Sequence, residues 1–140
     1  MATTTATITL ASSDLLSDAL SLSATSTLYK ASSTATGLDQ VKMGRNEIPT
    51  GTNFDLLDAT AAGVDKSNKV YIINKSTDPT YYVIVSILTE VIGRLYAGDW
   101  MFIPWNIDGA TSDIEIEAVT GTNTVEWVMF HENETLATSG

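Results

Sequence analysis

Polar and apolar residues alternate with a period of two along much of the chain. In residues 5–10, Ala6, Ile8 and Leu10 fall on one face and Thr5, Thr7 and Thr9 on the other, the pattern of a half-buried strand. Leu20, Leu22 and Ala24 alternate with Ser21, Ser23 and Thr25 and predict a second strand running toward Tyr29. Between the two, residues 12–19 read as one helical turn, with Ser12 or Ser13 as its cap and Asp14 near its start. Residues 31–37 are small and polar and predict a loop. Residues 42–54 contain Gly44, Pro49 and Gly51 and read as irregular and rich in turns. A short apolar run at 54–57 and a loop at 60–68 follow.

The second half of the chain is denser in strand signals. Residues 70–73 form a short apolar strand, and NKSTDPT at 74–80 is a turn. Residues 81–88 are rich in aromatic and β-branched side chains and too short for a convincing helix, so they predict a strand. Further strands are expected at 92–96 and 100–105, the latter stopped or confined to an edge by Pro104. The clearest alternation in the chain sets Ile114, Ile116 and Ala118 against Asp113, Glu115 and Glu117. A TGTN turn at 120–123 leads to a last strand at 125–131. Eight or nine short strands separated by frequent turns predict a single all-β domain, an antiparallel β-sandwich of jelly-roll type. Its expected parts are an extended N-terminal arm or edge strand (residues 1–12), the sandwich (13–132) and a flexible C-terminal tail (133–140).

Composition adds exclusions. The chain has 140 residues, no Cys, one His and a net charge of -10. The length suits one domain with a core large enough to need no staples. Without Cys there is no disulfide, thiolate nucleophile or thiolate metal site. The acidic balance argues against nucleic acid, whose phosphates call for clustered Lys and Arg. No segment has the pattern of a secretory signal or of a membrane-spanning helix, so a soluble product is expected. The 21 Thr and 13 Ser residues suit half-exposed strand positions. All seven basic residues lie between Lys30 and Arg94, and the stretch after Arg94 carries only acidic charges. Such asymmetry suits head-to-tail contact between copies, and equally describes solvated strand faces.

The chemistry-bearing residues are few. His131 is the only His and stands beside the expected tail, with no diagnostic nucleophile motif around it. One His and no Cys make zinc improbable, and no glycine-rich phosphate loop is present. The sequence therefore predicts a non-enzymatic protein with no cofactor. Asp113, Glu115 and Glu117 share a strand face and are the metal candidates, for a hard cation such as calcium, although such a row is more often the wet side of a sheet. The segment YAGDWMFIPW at 96–105 concentrates Tyr96, Trp100, Met101, Phe102 and Trp105. On a strand, Trp100 and Phe102 point one way and Met101 and Ile103 the other. Either one set fills the core while the other meets a partner or a sugar, or all of them are core, since large aromatics with Met serve equally as core and as interface centres. Ile8, Leu10, Tyr96, Trp100, Phe102 and Trp105 are the interface candidates.

Several stretches together resemble the small virion structural proteins of tailed bacteriophages: the Thr-rich start MATTTATITL (1–10), the alternating DALSLSATSTLYK (18–30), VYIINK (70–75), IGRLYAGDWMFIP (92–104), and the two alternating strands at 113–118 and 125–130. The resemblance implies a capsid decoration (cement) protein on the outer surface of the virion, or a subunit of a head or tail appendage that binds host-surface glycan. It further implies a symmetric oligomer, often a homotrimer, bound to the major capsid protein. Residues 1–12 would be the arm that reaches a neighbour, because a lone edge strand can pair across subunits.

Overall fold

The computed structural model describes residues 3–61, 66–108 and 111–132. Among them are ten strands and a single 3-10 turn, Ala59–Ala61. The strands are β1 Thr5–Ser12, β2 Leu20–Thr27, β3 Gln40–Ile48, β4 Asn53–Leu57, β5 Asn68–Asn74, β6 Tyr82–Ile87, β7 Glu90–Tyr96, β8 Trp100–Trp105, β9 Ile114–Ala118 and β10 Asn123–His131.

Eight of them build two four-stranded sheets, β3-β10-β5-β8 and β4-β9-β6-β7, with every pairing antiparallel. Successive strands cross from one sheet to the other except at β6–β7, which is a local hairpin. Eight strands in two interlocked Greek keys make a jelly roll, and the strand order alone establishes it. The expected all-β sandwich is therefore what the chain forms.

The core lies between the sheets and follows the period of two. In β5, Asn68, Val70, Ile72 and Asn74 face inward and are buried, while Lys69, Tyr71 and Ile73 face outward. Val125 and Met129 of β10, Val83 and Val85 of β6, and Ile114, Ile116 and Ala118 of β9 complete the inner faces. Two buried asparagines tie one end of the sandwich together. Asn74 Nδ2 donates to Leu95 O and to Asn123 Oδ1, both at 2.9 Å, and Asn123 Nδ2 donates to Thr120 O at 3.0 Å. Buried amides are tolerable because they are partnered.

Two expectations are corrected. Residues 12–19 form no helical turn: positions 13–18 are a run of bends, organised by Ser12 Oγ, which accepts the Leu15 N–H at 3.1 Å. Of residues 42–54, the part around Pro49 and Gly51 is the expected turn, but residues 42–48 are not irregular, since β3 is a nine-residue strand paired with β10 throughout. Its Gly44 lies under the indole of Trp127, where a Cβ would come within 2.5 Å of the ring; the glycine that read as a breaker is the space the tryptophan fills.

β1 and β2 pair only with each other, in register from Thr5↔Thr27 to Ser12↔Leu20. The arm expected at residues 1–12 thus includes β2 as well, and the sandwich begins at β3. Leu28 and Leu38, both buried, fasten its root, with Leu28 N–H donating to Thr4 O and Leu38 N–H to Leu28 O, each at 2.9 Å. The buried carboxylate of Glu132 accepts from Ala31 N–H and meets Lys66 Nζ at 3.7 Å. The tail expected at 133–140 lies outside the described residues.

Trp105 is 1% exposed and its Nε1 donates to Ser112 O at 2.8 Å. Trp105→Ala is expected to cost about 3–5 kcal/mol of stability through the lost indole and the cavity it leaves. Trp100→Ala at dilute concentration should stay within about 0.5 kcal/mol of the parent, and paired urea melts of the two variants measure the contrast.

Candidate functional site

The outer face of the β3-β10-β5-β8 sheet is unusually apolar. Cross-strand register lines up Met43, Val128, Tyr71 and Phe102 as one row across all four strands, with Ile73 beside Trp100 in the next row. Phe130 stands opposite Val41 on the other flank. Met43 is 73% exposed and Trp100 48%. Tyr71 and Trp100 approach with ring centroids 6.1 Å apart at 39°. Lys69, in the same face, is partly buried, and that burial holds its ammonium below the usual lysine range.

The β1–β2 ribbon stands over one side of that face. Its hydroxyl face carries Thr7 and Thr25, whose Oγ1 atoms lie 3.0 Å apart. Its other face carries Ala6, Ile8, Leu10, Leu22 and Ala24, and Ile8, Leu10 and Leu22 are exposed. Between that face and the sheet runs a groove of about 980 Å³, lined by Ile8, Leu10 and Ala24 from the ribbon and by Tyr71, Trp100, Phe102, Val128 and Phe130 from the sheet, with no charged side chain in its lining. A shallower hollow continues it toward β3, bordered by Met43, Arg45, Ile73, Lys75 and Glu126.

The interface candidates separate into three groups. Ile8, Leu10, Trp100 and Phe102 come together in the groove. Trp105 does not join them: five residues after Trp100, it points inward and belongs to the core, so its assignment to an interface is corrected. Tyr96 lies on β7 in the opposite sheet, with its ring 4.8 Å from that of Tyr82. The cation of Arg94 sits 4.9 Å above the Tyr82 ring. The single aromatic patch expected from residues 96–105 is therefore divided by the crossing between β7 and β8. Val41, Met43, Tyr71 and Phe130, which complete the apolar face, carried no separate signal. Met43 and Val41 sit in a strand whose Gly and charges masked its alternation.

The metal candidates are also rearranged. Asp113 and Glu115 gather with Asp55, not Glu117, their nearest oxygens all within 4.8 Å of one another. Pairing of β4 with β9 brings Asp55 opposite Glu115, whereas Glu117 stands opposite Asn53. Asp113 Oδ1 accepts the Ala59 N–H at 2.6 Å, and Glu115 accepts from Asn53 Nδ2. With one ligand atom each, the three carboxylates supply three of the six to eight oxygens calcium takes. His131, buried with Nδ1 3.1 Å from Glu132 O, is on the inward side of β10 and away from the groove.

No protein-family model matches the chain, and no curated protein matches it. Among solved structures, a cupin protein from Bacteroides fragilis is similar, with 17% identity, a TM-score of 0.38 and coverage of 74% of this chain and 73% of that one. The jelly roll assigned above rests on strand order and not on this likeness.

Desolvation, and then the negative charges of Asp113, Glu115 and Asp58, raise the Asp55 carboxyl above its ordinary range. The folded state therefore holds a proton at Asp55 more readily than the unfolded chain, and stability falls as pH rises through the folded-state pKa. Asp55→Asn should melt higher than the parent at neutral pH, with the difference gone below about pH 3.9, the unfolded aspartate value. Melting curves across that range measure it. A lower melting temperature for the variant at neutral pH would show instead that the carboxylate is held by a counter-charge.

Proposed function

We propose that the protein is a non-enzymatic structural protein of a tailed-phage virion, a capsid decoration (cement) protein that binds the assembled head shell from outside. The observation that carries this reading is the uncharged β1–β2 ribbon, held with its apolar face exposed beside an equally apolar sheet face. Contiguous apolar patches beyond roughly 300–600 Å² are rare on soluble monomers and mark surfaces that other molecules cover. The resemblance of residues 1–10, 18–30 and 92–104 to phage virion proteins supports the same direction, and jelly rolls recur among viral capsid domains. Because that fold also serves lectins and cupins, it is the ribbon and the apolar face that favour assembly.

In this role the protein works by mass action. It binds the assembled lattice and not the free shell subunits, so the lattice is stabilised by the binding free energy of each copy. The proposed partners are further copies of itself, as a homotrimer, and the major capsid protein.

A second reading, a head or tail appendage that binds host glycan, is favoured by the Tyr71–Trp100 pair on an open face, since sugars stack on such rings. The two readings separate experimentally. Incubated with expanded heads of its phage stripped of accessory proteins, the protein should co-sediment with saturation and raise the temperature at which the heads release DNA. Absence of co-sedimentation, together with quenching of tryptophan fluorescence by host polysaccharide that Trp100→Ala abolishes, would replace the first reading with the second.

A further inference from the structure

We infer that the hairpin tip of one copy, residues 13–19 with Leu15 and Leu16 at its centre, seats in the groove between ribbon and sheet of a second copy. The inference deepens the assembly reading above by naming the contact through which copies join.

Leu15 and Leu16 are 71% and 57% exposed, at the far end of a ribbon whose strands are eight residues each. At about 3.4 Å per residue the tip stands ~25 Å from the root. The groove is lined by the same ribbon from Thr4 as far as Leu10 on β1 and from Ala24 to Leu28 on β2, and ends short of the tip. Continuous pairing from Thr5↔Thr27 to Ser12↔Leu20 keeps the ribbon extended, so a chain cannot deliver its own tip to its own groove. Another copy can.

Charge fits the same occupant. The tip is an apolar dipeptide flanked by Asp14 and Asp18. The groove has no charged lining, and its continuation on the sheet is bordered by Arg45 and Lys75. Lys69 lies in that same outer face. Three of the chain's seven basic residues thus border this face. Glu126, opposite Arg45, and Glu47, which accepts from Thr124 Oγ1, are the acids on it. The outer face of the other sheet carries Asp55, Glu115 and Glu117 against Arg94 and would repel the tip. Opposite charges around an apolar centre set register and exclude the wrong face.

Exposure fits as well. Leu15 and Leu16 on the tip, and Ile8, Leu10 and Trp100 in the groove, are all exposed apolar side chains. Donor and acceptor surfaces differ, so the contact is head-to-tail and closes into a ring when its rotation permits.

The chain contains no cysteine, which makes cross-linking unambiguous. Full-length Leu16→Cys and Val128→Cys proteins are mixed in equal amounts, oxidised gently, and analysed on non-reducing gels and by peptide mass. A disulfide forms only where Cα atoms come within about 7 Å. The 16–128 link is expected to exceed both homodimeric links several-fold. Leu15→Asp combined with Leu16→Asp, both exposed positions, should reduce the light-scattering mass to that of a monomer while the melting curve at dilute concentration is unchanged. Links only between like positions, no link at all, or a mass unaffected by the double aspartate variant would overturn the inference. Head co-sedimentation of the double variant is read separately: monomers that still bind heads leave the decoration role standing without this contact. Oligomers that cross-link at 16–128 yet bind no heads retain the contact and lose the role.

Discussion

Insertion of β10 between β3 and β5 is the contact on which the architecture depends. β10 pairs over its whole length with β3 and over most of it with β5, so a strand near the end of the described chain joins elements about eighty and fifty residues earlier. Until that pairing forms, β3 has no neighbour in its sheet and the inner face bearing Val125 and Met129 has nothing to pack on. The β4–β9 pairing joins residues about sixty apart and the β5–β8 and β6–β9 pairings residues about thirty apart, with β6–β7 the sole local hairpin of the sandwich. Closure of these long loops is an entropic cost that local contacts do not repay, which makes such topologies slow and cooperative to fold.

The same pairing creates the candidate site. Because β10 is central, its outward residues Val128 and Phe130 join Tyr71 and Phe102 on one side and Met43 and Val41 on the other into a single apolar surface. A sandwich needs only its inner faces to be apolar; this one is apolar on both faces of one sheet and acidic on the outside of the other. The ribbon adds a second apolar surface that it does not bury on its own chain. A two-stranded hairpin has little stability by itself in water, and here Leu28, Leu38 and the Glu132 carboxylate hold its root while the rest projects. The ribbon is thus held at its base and leaves Ile8, Leu10 and Leu22 exposed.

Strained backbone occurs at a different place. Leu88 and Thr89 form the β6–β7 turn with φ of 53° and 64°, the left-handed pair that a two-residue hairpin needs and that Asn-Gly would adopt with least strain. A β-branched Thr there is unusual. The turn lies beside the acidic cluster, where Leu88 N–H reaches Asp113 O at 3.4 Å, so the strained corner belongs to that sheet and not to the groove.

Alternation along the chain determined the all-β class and the faces of β1, β2 and β9, because a side chain's side of a pleated strand follows from parity alone. Parity also held the information that Trp105 lies opposite Trp100, five positions apart. Composition determined the lack of thiol chemistry and the acidic surface. Tertiary structure alone decided the rest. β3 read as irregular because its Gly44 is a vacancy for Trp127, a residue some eighty positions away. Tyr96 parted from Trp100 because the chain changes sheets between β7 and β8, and Asp55 joined Asp113 and Glu115 because β4 pairs with β9. Each of these depends on which strands become neighbours, and that is set by burying two inner faces against one another across long separations, a property that no local window of sequence contains.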